Sequence, residues 1–307
     1  MKHKTLLAIV GPTGIGKTHW AIQLAKHFHT EILSADSRQF YKEMTIGTAV
    51  PSASELGEVK HHFIQHKSIF DTYSVGDFEK DALAKLNDLF RDQELTVIAG
   101  GSGLYVDAVV NGMDDFPDID PSIRNELIAQ WQSSGIEQLQ IELKEKDPVQ
   151  YNNIDLENPH RLIRALEVTR GSGKPYSSFL GKKSITRPFK TLYLGIQASR
   201  ETIYERIERR VDQMMQTGLL DEAKKLFEHK NLNALQTVGY KELFQYLDGA
   251  YTLEFAISEI KKNTRRYAKR QLTWYRKNDV ILWIDFDAPK EKVIEEVTKK
   301  LNTLADG

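Results

Sequence analysis

Eight consecutive residues, Gly11-Pro-Thr-Gly-Ile-Gly-Lys-Thr18, satisfy the pattern G-x-x-x-x-G-K-[ST]. Glycines let a backbone curl so that successive N–H groups point inward at phosphate oxygens, and a helix starting directly after adds its partial positive charge. Gly11, Pro12, Thr13, Gly14, Ile15, Gly16, Lys17 and Thr18 are therefore the candidate cradle for two linked phosphates. Lys17 supplies a full charge to the terminal phosphate, and the Thr18 hydroxyl is the candidate ligand for Mg2+. The plain alternative is a glycine-rich strand–helix turn with no ligand, against which the Lys-Thr pair and the flanking segments speak. The loop does not say what hangs from the phosphates. A nucleoside triphosphate is the usual occupant, and an allylic diphosphate satisfies the same donors.

The surrounding elements must position that loop. Leu6–Val10 is a short apolar run ended by a glycine turn, as expected of a buried parallel strand. The helix after it buries Trp20, Ala21, Leu24 and Ala25 at helical spacing. A second strand, Glu31–Ala35, ends on Asp36. Phe78, Ala82, Leu83, Leu86, Leu89 and Phe90 describe one helix face, and Leu95–Ala99 is another buried strand, ending on Gly100-Gly101-Ser102-Gly103. Nucleotide hydrolases commonly hold Mg2+ with an acid at such a strand end. Here the strand ends in glycines, leaving Asp36 as the acid at an early strand end. The alternation of strand and helix predicts an α/β fold, a parallel sheet with helices on both faces.

The composition then shifts. Gly112–Asp120 holds four aspartates and Pro117 and reads as a linker. Asp120-Pro121 follows as an N-cap and first-turn proline, opening a helix expected to bury Ile123, Leu127, Ile128 and Trp131. No strand pattern is evident from there to about Thr186. A strand returns at Thr191–Ile196, then a helix through Ile203, Ile207, Val211, Met214 and Met215. Val280–Ile284 resembles a last strand, and Asp287-Ala-Pro289 starts a final helix through Val293, Val297 and Leu301. The expected organisation is a core domain of residues 1–114 and 191–307, interrupted by an inserted, mostly helical domain at 115–190.

The whole chain narrows the classes. Its 307 residues contain no cysteine, which excludes disulfides, cysteine-ligated zinc, iron–sulfur clusters and cysteine nucleophiles, and fits a cytoplasmic protein. The apolar run near the N-terminus is too short for a signal peptide or a membrane span, so no membrane partner is expected. Formal net charge is −1, so a nucleic-acid partner must be held by a local basic surface. Lys261–Lys277 provides one: eight cations, with Tyr267, Trp274 and Tyr275 among them and no acid. On a helix these cations offer phosphate contacts and the aromatics can stack on bases; a solvated charged face or core aromatics are the alternatives. Adjacent His61 and His62, with no partner acids evident beside them, are a weak metal signal, and no metal-ligand role is assigned to them.

From Ser34 onward the motifs become specific. Ser34-Ala-Asp-Ser-Arg-Gln39, Tyr41, Ile46-Gly-Thr48, His61-His62, Gly100-Gly-Ser-Gly-Leu-Tyr105, Arg161-Leu-Ile-Arg-Ala-Leu-Glu-Val168, Gly173-Lys-Pro175, Val238-Gly-Tyr-Lys-Glu242 and Lys269-Arg-Gln-Leu-Thr-Trp274 occur in order. Together they resemble the tRNA dimethylallyltransferase (tRNA isopentenyltransferase, or IPP transferase) family over essentially the whole chain. The resemblance implies transfer of a dimethylallyl group from dimethylallyl diphosphate to N6 of adenosine 37, beside the anticodon of tRNA, with diphosphate leaving. It implies a P-loop NTPase-like core carrying an inserted helical domain, Mg2+ as cofactor, an anticodon stem-loop as partner and a monomeric enzyme. Departures are mild. Thr13-Gly-Ile-Gly16 stands where relatives usually have Ala-Ser before the last glycine, Ser102 where threonine is common, and Val50 where lysine is usual. No zinc-finger extension follows, so a bacterial-type enzyme is expected.

Breaking an allylic C–O bond puts negative charge on the departing diphosphate, which the loop amides, Lys17 and Mg2+ on Thr18 are suited to stabilise. Arg206 and Arg210, one turn apart, are placed by the resemblance over the same phosphates; pairing with Glu205 and Glu208 on a solvated face is the alternative. The acceptor nitrogen is a poor nucleophile, and a carboxylate taking its proton speeds attack by about two to four orders of magnitude. The resemblance gives Asp36 that role, where an Mg2+-associated acid or a helix cap are the other readings. A stacked adenosine must be extruded to react. The resemblance assigns tRNA contacts to Asp36, Ser37, Arg38, Gln39 and Ser102, and in the insertion to Arg124, His160, Arg161 and Arg164. Lys269, Arg270 and Trp274 complete the expected tRNA set. The rivals are a small-molecule kinase or NTPase, a prenyltransferase of free adenine nucleotides, and a non-catalytic nucleotide-gated RNA-binding module.

Overall fold

The computed structural model describes residues 3–181 and 186–306. Among the described residues, six strands form one parallel sheet in the order β3-β2-β4-β1-β5-β6. In chain order, β1 (Thr5–Val10) leads into α1 (Lys17–His27), then β2 (Ile32–Ser34), α2 (Ala53–Glu58), β3 (His61–His62), α3 (Val75–Asp92), β4 (Leu95–Ala99) and α4 (Gly103–Asn111). After a helical segment come β5 (Lys190–Gln197), α9 (Arg200–Gln216), α10 (Leu219–Leu226), α11 (Tyr240–Leu247), α12 (Leu253–Tyr275), β6 (Leu282–Asp285) and α13 (Lys290–Asp306). The helical segment itself is α5 (Pro121–Ser134), α6 (Glu137–Lys146), α7 (Pro148–Asn153) and α8 (Pro159–Ser172).

β1 is buried along its entire length because both faces of the sheet are covered. Its side chains alternate between two cores. Leu6, Ala8 and Val10 join residues of α3, α4 and α10 to α12, such as Phe78, Val109, Leu219, Tyr240 and Ile260. Leu7 and Ile9 join Trp20 and Leu24 of α1, Ile203 and Ile207 of α9, and Val293 and Val297 of α13. The period-2 alternation of a strand thus decides which helices pack on which face.

Two compact units are present: residues 1–111 with 187–307, and residues 112–186. The smaller has its own core of Leu127, Leu139, Leu143, Leu162, Ile163, Ala165 and Leu166. Its helices start on side-chain caps. Asp120 accepts from Ser122 N ahead of Pro121, and Asn158 accepts from Arg161 N with Pro159 at the first helical position. Asp147, nearly inaccessible, caps α7 through Gln150 N and also accepts from the amide and hydroxyl of Ser177.

Several boundaries differ from the sequence-based expectation. The second strand is Ile32–Ser34, not Glu31–Ala35. β6 begins at Leu282, where pairing with Leu194 of β5 begins, and Val280 is 73% exposed. Of the apolar face expected on α5, Leu127 alone is fully buried, since a four-helix unit has too little interior to cover Ile123, Ile128 and Trp131 completely.

Candidate active site

The loop between β1 and α1 crosses the carboxyl end of the sheet. Gly11 has φ 144°, and a Cβ there would meet Ile196 O of the neighbouring strand at 2.7 Å, so only glycine fits. Gly16, at φ 110°, precedes α1, and no side chain caps the helix. The first-turn amides are thereby left for an anion. A cavity of about 620 Å3 opens over them, lined by Thr13, Gly14, Gly16, Lys17 and Thr18. Asp36, Arg206, Arg209 and Arg210 line the same cavity. Its apolar wall includes Ile46, Ala49, Val50, Pro51 and Met214.

The cations are crowded together. Lys17 Nζ donates to Pro12 O at 2.9 Å. Burial lowers its pKa to about 8, with Asp36 opposing the shift and Arg210 adding to it. Arg206 Nε donates to Gly14 O at 2.8 Å, and its guanidinium lies over the Phe286 ring at 5.2 Å. Burial also lowers the Arg210 pKa; Asp36 counteracts this and Arg206 reinforces it. Like charges held this close, with the Asp36 and Glu55 carboxylates near them, make a site that a polyanion relieves. Glu205 is exposed, and Glu208 pairs with Arg265, where the alternative reading puts it beside Arg206 or Arg210.

Asp36 lies two residues past β2, at the carboxyl end of the sheet. Its Oδ1 accepts from Arg38 N at 3.1 Å. On its other side, Ser37 N and Oγ both lie 3.1 Å from Ser102 Oγ. The half-buried Tyr267 completes this group: its hydroxyl pairs with Ser102, and burial, then Asp36, push its pKa up to about 12. Gln39 Nε2 donates to Thr48 O and Ala49 O, and Arg38 Nη1 donates to Asn233 O and Ala234 O. Both side chains therefore hold neighbouring backbone in place. Trp274 stacks against Gly103, where a Cβ would meet its ring at 2.6 Å, and its Nε1 donates to Asp107 Oδ2 at 2.8 Å.

The basic run is less free than its sequence implies. Lys261 pairs with Asp212 and Arg265 with Glu208, both on α9, and Lys262 pairs with Glu259 one turn earlier. α12 ends at Tyr275, placing Arg276 and Lys277 beyond it. Lys269 and Arg270 are exposed, the latter over the Tyr267 ring at 5.8 Å. In the helical unit, Arg124 and Arg164 both donate to Glu167, and Arg164 also covers the Phe116 ring at 5.2 Å. His160 and Arg161 are exposed there, His160 edge-on to Trp131.

Sequence reasoning assigned no role to Gln271, Glu222 or the His61 side chain. Gln271 Oε1 accepts from Thr13 N at 2.8 Å and its Nε2 donates to Gly101 O at 2.7 Å. An uncharged polar residue inside a basic run was the available signal. Glu222 accepts from Thr45 N, Ile46 N and Gly47 N, contacts about 175 residues away in sequence that leave no local trace. His61 lines the cavity, with Nδ1 bonded to Val59 O, and burial lowers its pKa.

The sheet, the loop over its carboxyl end and the clustered cations define a P-loop NTPase-like protein whose phosphate site has a carboxylate at its edge. The sequence model described as IPP transferase matches residues 39–278, and the chain belongs to that family. A tRNA dimethylallyltransferase of Christiangramia forsetii is 56% identical over 97% of this chain and 99% of its own length. One from Flavobacterium johnsoniae is 55% identical over 98% of this chain and 99% of its own. Among solved structures, the tRNA isopentenylpyrophosphate transferase of Bacillus halodurans superposes with TM-score 0.72 at 39% identity, covering 99% of this chain and 97% of that one. A eukaryotic dimethylallyltransferase acting on tRNA gives TM-score 0.81 at 25% identity, covering 98% of this chain and 80% of that one.

Proposed function

We propose that this chain transfers a dimethylallyl group from dimethylallyl diphosphate to N6 of adenosine 37 in tRNA. The observation that carries this is one cavity holding an uncapped phosphate loop, the cations Lys17, Arg206, Arg209 and Arg210, and the Asp36 carboxylate beside an apolar wall. The donor's diphosphate lies on the amides of Gly14 to Thr18, with Lys17, Arg206 and Arg210 around it. The prenyl group lies against Ile46, Val50 and Met214. The C–O bond to diphosphate breaks as N6 bonds to the allylic carbon, the electron pair leaves with diphosphate, and Asp36 takes the N6 proton. Ser37, Ser102 and Tyr267 border Asp36 on the side from which the extruded base enters.

Thr18 and the diphosphate oxygens fit Mg2+, which usually keeps several waters and takes few protein ligands. The described residues contain no cluster of three or more acids or histidines able to cage a metal, and none is required for that mode. When bound, Mg2+ supplies charge stabilisation to the leaving diphosphate. Arg124, His160, Arg161, Arg164, Lys269, Arg270 and Trp274 are the proposed RNA contacts, in a single copy of the chain acting in the cytoplasm. None of the described helices is long and apolar enough to cross a membrane.

The test is to incubate the chain with Mg2+, dimethylallyl diphosphate and an anticodon stem-loop carrying an adenosine at position 37. Mass spectrometry is expected to find one added prenyl group on that adenosine. No adduct, together with ATP turnover, would move the protein to the kinase and NTPase class.

A further inference from the structure

Gln271 of α12 joins the phosphate loop to the end of β4. The residue is 5% exposed, and its carboxamide accepts from Thr13 N at 2.8 Å and donates to Gly101 O at 2.7 Å. The approach depends on Gly101 having no side chain. A Cβ there would sit 2.3 Å from Gln271 Nε2 and 3.6 Å from Lys17 Nζ. The carboxamide and the Lys17 ammonium therefore lie on the same side of Gly101, between the loop and the β4 end.

Two consequences follow for a phosphate chain. The Thr13 amide is already taken, so the cradle open to a ligand begins at Gly14. The lysine of such a loop marks the terminal phosphate, and Gln271, packed behind the cavity lining, holds Thr13 and Gly101 at that end of the loop. We propose that Gln271 sets the length of the chain that the loop accepts, admitting a diphosphate and excluding a third phosphate. This rests on the proposal that the loop holds the donor's diphosphate. It explains how a loop whose pattern suits nucleoside triphosphates is kept for a shorter ligand in a cell rich in ATP.

The test is calorimetric titration of the full chain, with Mg2+, by inorganic diphosphate and by tripolyphosphate. The longer chain carries more negative charge toward Lys17, Arg206 and Arg210, so electrostatics alone favours it. The expected result is the reverse: the wild-type protein binds diphosphate at least about tenfold tighter. In Gln271→Ala the preference falls to within about threefold of equality. Gln271→Ser serves if the alanine variant does not fold, and Gln271→Met, which keeps the bulk without the hydrogen bonds, retains the wild-type preference. Equal binding of the two chains by the wild type, or an unchanged ratio in a folded small-side-chain variant, overturns the proposal. If the wild type binds neither chain, the donor assignment itself fails; diphosphate binding with no length preference sinks only the role of Gln271.

Discussion

The Tyr240 hydroxyl donates to Glu222 Oε1 at 2.6 Å, and the same carboxylate collects three successive amides, those of Thr45, Ile46 and Gly47. Gly47 is where this contact requires glycine, because a Cβ would lie 2.6 Å from the Tyr240 ring. Two motifs far apart in sequence, Ile46-Gly-Thr48 and Val238-Gly-Tyr-Lys-Glu242, thus serve one purpose. They pin the segment whose Ile46, Ala49 and Val50 line the cavity.

Glu222→Ala is expected to lower stability by about 2 kcal/mol, because several amides lose an acceptor at once, and Tyr240→Phe by about 1 kcal/mol. Denaturant unfolding measures both. The loosened wall is expected to raise the donor KM more than it lowers kcat, and a KM unchanged in Glu222→Ala would separate this segment from donor binding.

Asp36→Asn keeps size and hydrogen bonding at that position while removing the proposed base. Single-turnover prenyl transfer is expected to drop by about two to four orders of magnitude. Affinity for the stem-loop, measured by fluorescence anisotropy, is expected to stay within about threefold. Near-normal turnover would take the base role away from Asp36.

The pH dependence follows from Lys17. With its pKa lowered to about 8 by burial, the unliganded lysine loses its proton as pH rises through that value. Bound diphosphate favours the charged form, so diphosphate affinity is expected to weaken above about pH 8, with proton uptake on binding there. Lys17→Arg, charged throughout, flattens the profile relative to wild type. Stability of the free protein runs the other way. Between about pH 8 and 10.5 the unfolded chain holds the proton that the folded one has lost, so this group's contribution rises with pH in that window. Thermal melts of wild type against Lys17→Met check the sign.

Pairing divides the cations of α12 by role. Lys269→Ala and Arg270→Ala are each expected to weaken stem-loop binding and to reduce the log–log salt slope by about one. Lys261→Ala and Arg265→Ala break ion pairs with Asp212 and Glu208 and are expected to leave that slope nearly unchanged. Binding measured across a salt series distinguishes the pairs, and equal slopes for all four variants would contradict the division.

The parts of this fold visible in the sequence are those whose causes are local. Leu6–Val10 is a continuous apolar run, and Leu95–Ala99 is one broken only by Thr96, because a strand covered on both faces has almost no polar side to show. The phosphate loop is a fixed spacing of glycines before a lysine, and Asp120-Pro121 is a cap that acts within one turn. The three-residue β2 and two-residue β3 leave too short a pattern to fix their ends. Glu222 and Gln271 act through partners on distant segments, so their meaning appears only when α10 and α12 are in place. The pairing inside the basic run was hidden for the same reason: the acids that meet Lys261 and Arg265 are on α9.

Gly100, at the end of β4, has a neighbour that constrains what this scaffold can become. A Cβ there would meet Ala35 C and O at 2.4 and 2.2 Å, main-chain atoms of the adjacent segment that cannot swing aside. An acid placed at this position, where nucleotide hydrolases commonly keep one, demands a shift of the whole β2–Asp36 segment. The route from this enzyme to a phosphohydrolase therefore runs through a change of backbone, and no single codon replacement at Gly100 opens it.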